Sequence, residues 1–171
     1  MPSPIGLYLK GGAGRYTSGY APYTAVGPTW GAGLLVQPMP FFGAEIGYEG
    51  GHHLTQGALF SLLPTQPGIL RSGATALLKL TAPIGWFRPF IGAGFGVSWL
   101  TPTGTGSDFL SSRFIQEVPL AGGLEFAAGG LFLGARFTYR FLFNSNFIQD
   151  PSRSNISGAL ADIQGTVAYQ F

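Results

Sequence analysis

The chain has 171 residues, of which only 9% are charged, against about a quarter in an ordinary soluble domain, while 46% are hydrophobic and 15% aromatic. That balance, with a mean hydropathy of +0.27, leaves too few charges to cover the exterior of a soluble domain. A formal net charge of +2 is too small to argue for nucleic acid, and the absence of cysteine removes both disulfides and thiolate metal sites. The length predicts one domain over residues 1–171. The opening MPSPIGLYLK lacks the basic and apolar regions of a secretory signal, and we read it as a mature chain behind an initiator Met.

Along the chain, apolar and mixed residues alternate in long segments that predict strands over 4–13, 26–37, 41–50, 68–81, 88–100, 113–126, 131–143 and 158–171. These exceed the usual strand of about 5 to 6 residues and suit tilted strands crossing a bilayer, which needs about 9 to 11. The connections alternate too. Long polar segments follow the first, third, fifth and seventh strands, and short turns marked by Pro or Gly follow the second, fourth and sixth (PMP, APIGWF and AAGG). Eight strands with long loops at one end and tight turns at the other predict an all-β, antiparallel, up-and-down transmembrane barrel.

The charges keep to one phase of this pattern. Glu45 and Glu49 oppose Phe42, Ala44, Ile46 and Tyr48; Arg71 and Lys79 oppose Leu70, Ala74, Leu78 and Leu80. Glu117 and Glu125 oppose Val118, Leu120, Leu124 and Phe126. In LFLGARFTYRFLF, Arg136 and Arg140 oppose Leu131, Leu133, Phe137, Tyr139, Phe141 and Phe143. Lys10 and Asp162 behave likewise in the first and last strands. These ten residues comprise five cations and five anions, so they fit one enclosed, neutral space, and the apolar phase must face hydrocarbon. Arg88 and Arg113 share the interior phase but sit at strand ends, and both are expected at the rim. The interior-phase glycines Gly92, Gly94 and Gly96 are expected to make room for long charged side chains opposite. Phe42, Trp86, Phe87, Phe126, Tyr169 and Phe171 toward the turn end, and Tyr48, Trp99, Phe114, Tyr139 and Phe143 toward the loop end, fit two interfacial girdles.

Other readings fare worse. A soluble lipocalin-like barrel would put its apolar face inside and needs more surface charge. The window VPLAGGLEFAAGGLFLGA has the length of a membrane helix but contains Pro119, Glu125 and five glycines. A soluble sandwich would need charged gatekeepers on its edges, and these are scarce here.

The stretch RPFIGAGFGVSWL (88–100) resembles a strand of the small outer-membrane barrels of the OmpA/OmpX-like superfamily, and the ending GTVAYQF resembles their C-terminal strand. Gly165 stands one position from the usual place of that strand's glycine. The resemblance implies a place in the Gram-negative outer membrane, with termini and short turns periplasmic and long loops outside. It implies contact with outer-membrane lipid and lipopolysaccharide, and recognition of the last strand by the barrel-assembly machinery. Members of the superfamily are structural, adhesive, porin-like or enzymatic, so the fold does not choose among functions.

Catalytic signals are thin. GAGFG lies within a strand and lacks the helix and acidic partner of a nucleotide-binding loop. His52 and His53 are adjacent at the start of a long loop, with no cysteine or acidic cluster beside them; an exposed polar loop is expected, and no metal or other cofactor. Lipid A deacylases and acyltransferases of this barrel type rely on His with Ser or carboxylate partners, and no His-x-Ser stands on a lipid-facing strand; Ser61 and the loop carboxylates depend on an unknown loop fold. The sequence therefore predicts a non-enzymatic barrel with a lumen closed by ion pairs and with loops that recognise a protein partner or surface. The alternatives are a lipid-modifying enzyme or a narrow ion-conducting pore. Phe60, Leu62, Leu63, Phe109, Leu110, Phe147 and Ile148 could form an apolar loop patch or pack the barrel mouth.

Overall fold

The computed structural model describes residues 4–19, 21–55, 67–104, 112–143 and 158–171. The expected loop patch and Ser61 lie outside the described residues. Eight strands run β1 (Ile5–Ser18), β2 (Gly27–Met39), β3 (Phe42–Leu54), β4 (Gly68–Thr81), β5 (Phe87–Thr103), β6 (Arg113–Ala128), β7 (Leu131–Phe143) and β8 (Gly158–Gln170). Each pairs antiparallel with its sequence neighbour, and β8 returns to β1 through a ladder from Gly6↔Gln170 to Ser18↔Gly158. Closure satisfies backbone groups that lipid could not.

Strand-forming residues bounded by turn chemistry set this order. Between β6 and β7, Gly129 and Gly130 have φ of 56° and 87°. Positive φ at both central residues is the type I′ hairpin, which glycine enters without a Cβ penalty. Between β4 and β5, Gly85 (φ 63°) turns the chain, and Ile84 and Phe87 exchange backbone hydrogen bonds of 2.9 and 3.2 Å. The β2–β3 register shifts between Val36 and Met39, beside Pro38 and Pro40.

Three strands run farther toward the loop end than their polarity suggests. RYTS stays on the β8 ladder, HHL pairs with Gly68–Leu70 of β4, and β5 continues to Thr103. These residues were expected in loops because they are polar. A hydrogen-bonded ladder continues past the hydrocarbon whatever its side chains, so the wall rises above the apolar band.

Alternation sorts the two faces. Outward stand Leu7, Leu9, Leu34, Ile46, Leu78, Ile91, Phe95, Leu133, Phe137 and Ile163, all exposed, and together they form an apolar outer wall. This is the inverse of a water-soluble protein, and it defines a transmembrane barrel.

Candidate functional site

All ten charged side chains read from the pattern point into the lumen, each 0–7% exposed. They come together in two groups. Nearer the turn end, Arg136 of β7 donates from Nη1 and Nη2 to Glu45 Oε2 and Oε1 of β3, both at 2.7 Å. Lys79 Nζ of β4 lies 2.7 Å from Glu125 Oε1 and 3.3 Å from Glu45 Oε1. Nearer the loop end, Glu49 is the hub: Lys10 bonds one oxygen, and Arg140 Nη2 and Arg71 Nη2 approach the other at 2.7 and 3.6 Å. Arg140 Nε also donates to Asp162 Oδ2 at 3.1 Å. Arg71 donates in fork fashion to Glu117, with Nε to Oε1 at 2.7 Å.

Each group is neutral by itself. Lys79 and Arg136 balance Glu45 and Glu125, and Lys10, Arg71 and Arg140 balance Glu49, Glu117 and Asp162. Pairing at this depth is what makes buried charge tolerable. The Phe90 ring supports the first group, with Lys79 Nζ at 4.9 Å and Arg136 Cζ at 5.1 Å from its centroid. The space left between the groups is about 10 Å³, bordered by Tyr8, Leu77 and Thr138 among others. That is room for about one water.

Three expectations need correction. Arg88 is not at the rim: it is 8% exposed inside the turn end, so the interior carries one more cation than the ten-residue balance allows. Its guanidinium donates to Pro40 O at 3.0 Å and lies 4.9 Å from the Phe132 ring, which satisfies part of the fork without a carboxylate. Arg113, half-buried, begins β6 at the loop end. His52 and His53 do not form a loop, because both are on the β3 ladder. His53 is wholly buried, with Nε2 3.1 Å from Gly14 O and its ring 4.8 Å from that of Tyr16. Finally, the β5 glycines make room for the adjacent β4 strand, Gly94 for the backbone of Ala76. A Cβ on Gly92 would stand 3.0 Å from Leu77 Cδ2, and one on Gly96 3.0 Å from Thr75 Oγ1.

An unforeseen layer closes the loop end. Tyr16, Ile69, Leu100, Ile115, Leu142 and Leu160 pack together inside the barrel, each at most 3% exposed. Parity could have found them, since Leu142 shares a phase with Arg140, Ile115 with Glu117 and Leu160 with Asp162.

Outside, the aromatics stand near the ends of the apolar wall. Trp86 stacks on Phe126 at 5.3 Å, Phe87 lies 5.8 Å from Phe126, and Tyr169 meets Phe171 at 5.6 Å, all toward the turns. Trp99 meets Phe114 at 5.2 Å toward the loops. Tyr48 accepts from Ser72 Oγ at 3.1 Å, Tyr139 OH lies 3.3 Å from Thr17 Oγ1, and Phe42 is half-buried on β3.

This architecture is that of the small eight-stranded outer-membrane barrels. The chain superimposes on Neisserial surface protein A with a TM-score of 0.68 at 14% identity, covering 100% of this chain and 99% of that one. It superimposes on Ail, the attachment invasion locus protein of Yersinia pestis, with a TM-score of 0.56 at 12% identity and full coverage of both chains. The outer membrane enzyme PagL also matches, with a TM-score of 0.50 at 18% identity over 93% of this chain and 97% of that one. No family model matches the chain, and neither does any curated protein.

Proposed function

We propose that the chain is a non-enzymatic barrel of the Gram-negative outer membrane, closed to ions, that serves as a rigid scaffold for recognition at its loop end. The observation that carries this reading is the filled lumen: two neutral ion clusters with about 10 Å³ between them, beneath an apolar layer. An eight-stranded barrel is only wide enough for side chains to fill, and here they meet across it. The turns and both termini then face the periplasm, lipid and lipopolysaccharide surround the wall, and the assembly machinery takes up β8. Ail's name marks that protein as an attachment protein, which is consistent with an adhesive or partner-binding role for this barrel.

Planar-bilayer recording tests the closed lumen. The unmodified protein is expected to be silent, and Arg136→Ala, which strips Glu45 of its bidentate partner, to give sporadic conductance. A steady, large conductance in the unmodified protein would favour the pore.

One observation favours an enzyme instead. His52 Nε2 lies 3.2 Å from Thr103 Oγ1, on the outward phase of the wall above the apolar band, where a hydroxyl beside an imidazole would face lipid headgroups. Mass spectra of lipids from cells expressing the protein, the His52→Ala variant or an empty vector decide between the two. A modified lipid present only with intact His52 would overturn the non-enzymatic reading.

A further inference from the structure

The two ion clusters leave one interior cation over, and its surroundings have the shape of a binding site. Arg88, the second residue of β5, is 8% exposed. Its Nη2 bonds Pro40 O, while among the described residues its Nε has no hydrogen-bond partner and the side chain no ion pair. Its cross-strand neighbour Glu125 is the nearby opposite charge, but the bond it makes is to Lys79 at 2.7 Å. Among the described residues no side-chain carboxylate bonds Arg88. Of the seven acidic residues in the chain, five belong to the clusters, and Asp108 and Asp150 lie outside the described residues.

In front of Arg88 is a cavity of about 380 Å³, bordered by Gln37, Pro38, Met39, Pro40 and Pro83. That volume suits a small molecule. The prolines and Met39 offer apolar walls. Gln37 Nε2 is engaged with Pro40 O at 3.1 Å, whereas its buried Oε1 accepts no hydrogen bond among the described residues. The cavity thus borders one guanidinium, a glutamine whose buried carbonyl oxygen is unbonded among the described residues, and apolar side chains.

We infer that the turn end of the barrel binds a small carboxylic acid that carries an amide or hydroxyl donor near its carboxylate. The guanidinium fork matches a planar carboxylate, and one cation balances one negative charge. A phosphate, bearing more than one, would remain partly uncompensated. The donor answers Gln37 Oε1, and a short apolar body fits against the prolines. In the proposed orientation the site opens to the periplasm, but binding itself does not depend on that orientation or on loop-end recognition.

The test uses N-acetylalanine, titrated into the full ¹⁵N-labelled chain in detergent micelles. The reporters are the Arg88 Nε–H and the Gln37 side-chain amide resonances. The expected result is a saturable shift of both, absent with the neutral N-acetylalaninamide and absent with sodium chloride at equal ionic strength. In Arg88→Gln, followed at Gln37, affinity should fall about tenfold or more, as loss of a charge-assisted hydrogen bond requires. The comparison with the neutral amide stands in the unmodified protein even if that variant fails to fold. Equal shifts with the neutral amide, or shifts reproduced by sodium chloride, would overturn the inference. Binding confined to Glu125→Gln would overturn it too, by showing that Glu125 already holds Arg88 in the unmodified protein.

Discussion

At the loop end the barrel interior is filled by Tyr16, Ile69, Leu100, Ile115, Leu142 and Leu160, whereas through its middle it is filled by ten charges in two neutral clusters. The first region excludes water by volume. Its members are interchangeable with side chains of similar size, and salt does not weaken it. The second excludes water by pairing. Each of its members answers to particular partners, and losing one leaves a charge in a place where charge is costly. A lumen built both ways resists opening by a cavity in the apolar layer alone.

The comparison is tested most severely at Glu49, which meets Lys10, Arg71 and Arg140 at once. Glu49→Ala is expected to destabilise the folded barrel by on the order of 3 to 5 kcal/mol, read as a lower urea midpoint in lipid vesicles. A change under about 1 kcal/mol would mean that water reaches and solvates the cations that Glu49 meets.

In the apolar layer, Leu160→Ala should cost about 2 to 4 kcal/mol by the same measurement, through lost contacts and a cavity. Leu160→Met, which keeps the volume, should cost under about 1.5 kcal/mol. Neither substitution should produce conductance, because the ion clusters still close the lumen beneath the layer; a Leu160→Ala pore would mean that the apolar layer alone is the seal.

The smallest effect belongs to the outer wall. Trp86 is 68% exposed and stacks on Phe126, so Trp86→Ala should cost only about 0.5 to 1.5 kcal/mol for the ring pair, measured in the same vesicles. A loss as large as at Glu49 would place Trp86 among the principal anchors of the barrel.

Much of the fold was legible in the sequence, because a strand alternates its faces with period two and charge cannot face lipid. The pairs Glu45 and Glu49, Arg71 and Lys79, Glu117 and Glu125, and Arg136 and Arg140 each kept an even spacing, and each pair turns inward. Legibility failed where polarity stopped marking the face. His53 and Tyr16 looked like loop residues, and the ladder carried both into the interior. Arg88 looked like a rim residue because it opens β5, yet the Pro40 carbonyl and the Phe132 ring hold it inside.

By itself the sequence determined eight antiparallel strands, the wall of Leu, Ile and Phe that faces outward, and the ten charges that face inward. These follow from local alternation and from the mismatch between charge and hydrocarbon, neither of which needs a third dimension. Which carboxylate each cation reaches was decided only by closure. The strand tilt and stagger of a closed barrel set the depth of every interior side chain, so Arg136 of β7 meets Glu45 of β3 across the lumen, 91 residues away in the chain. The same geometry gave the Glu125 bond to Lys79, leaving its cross-strand neighbour Arg88 without an ion pair among the described residues at the turn end.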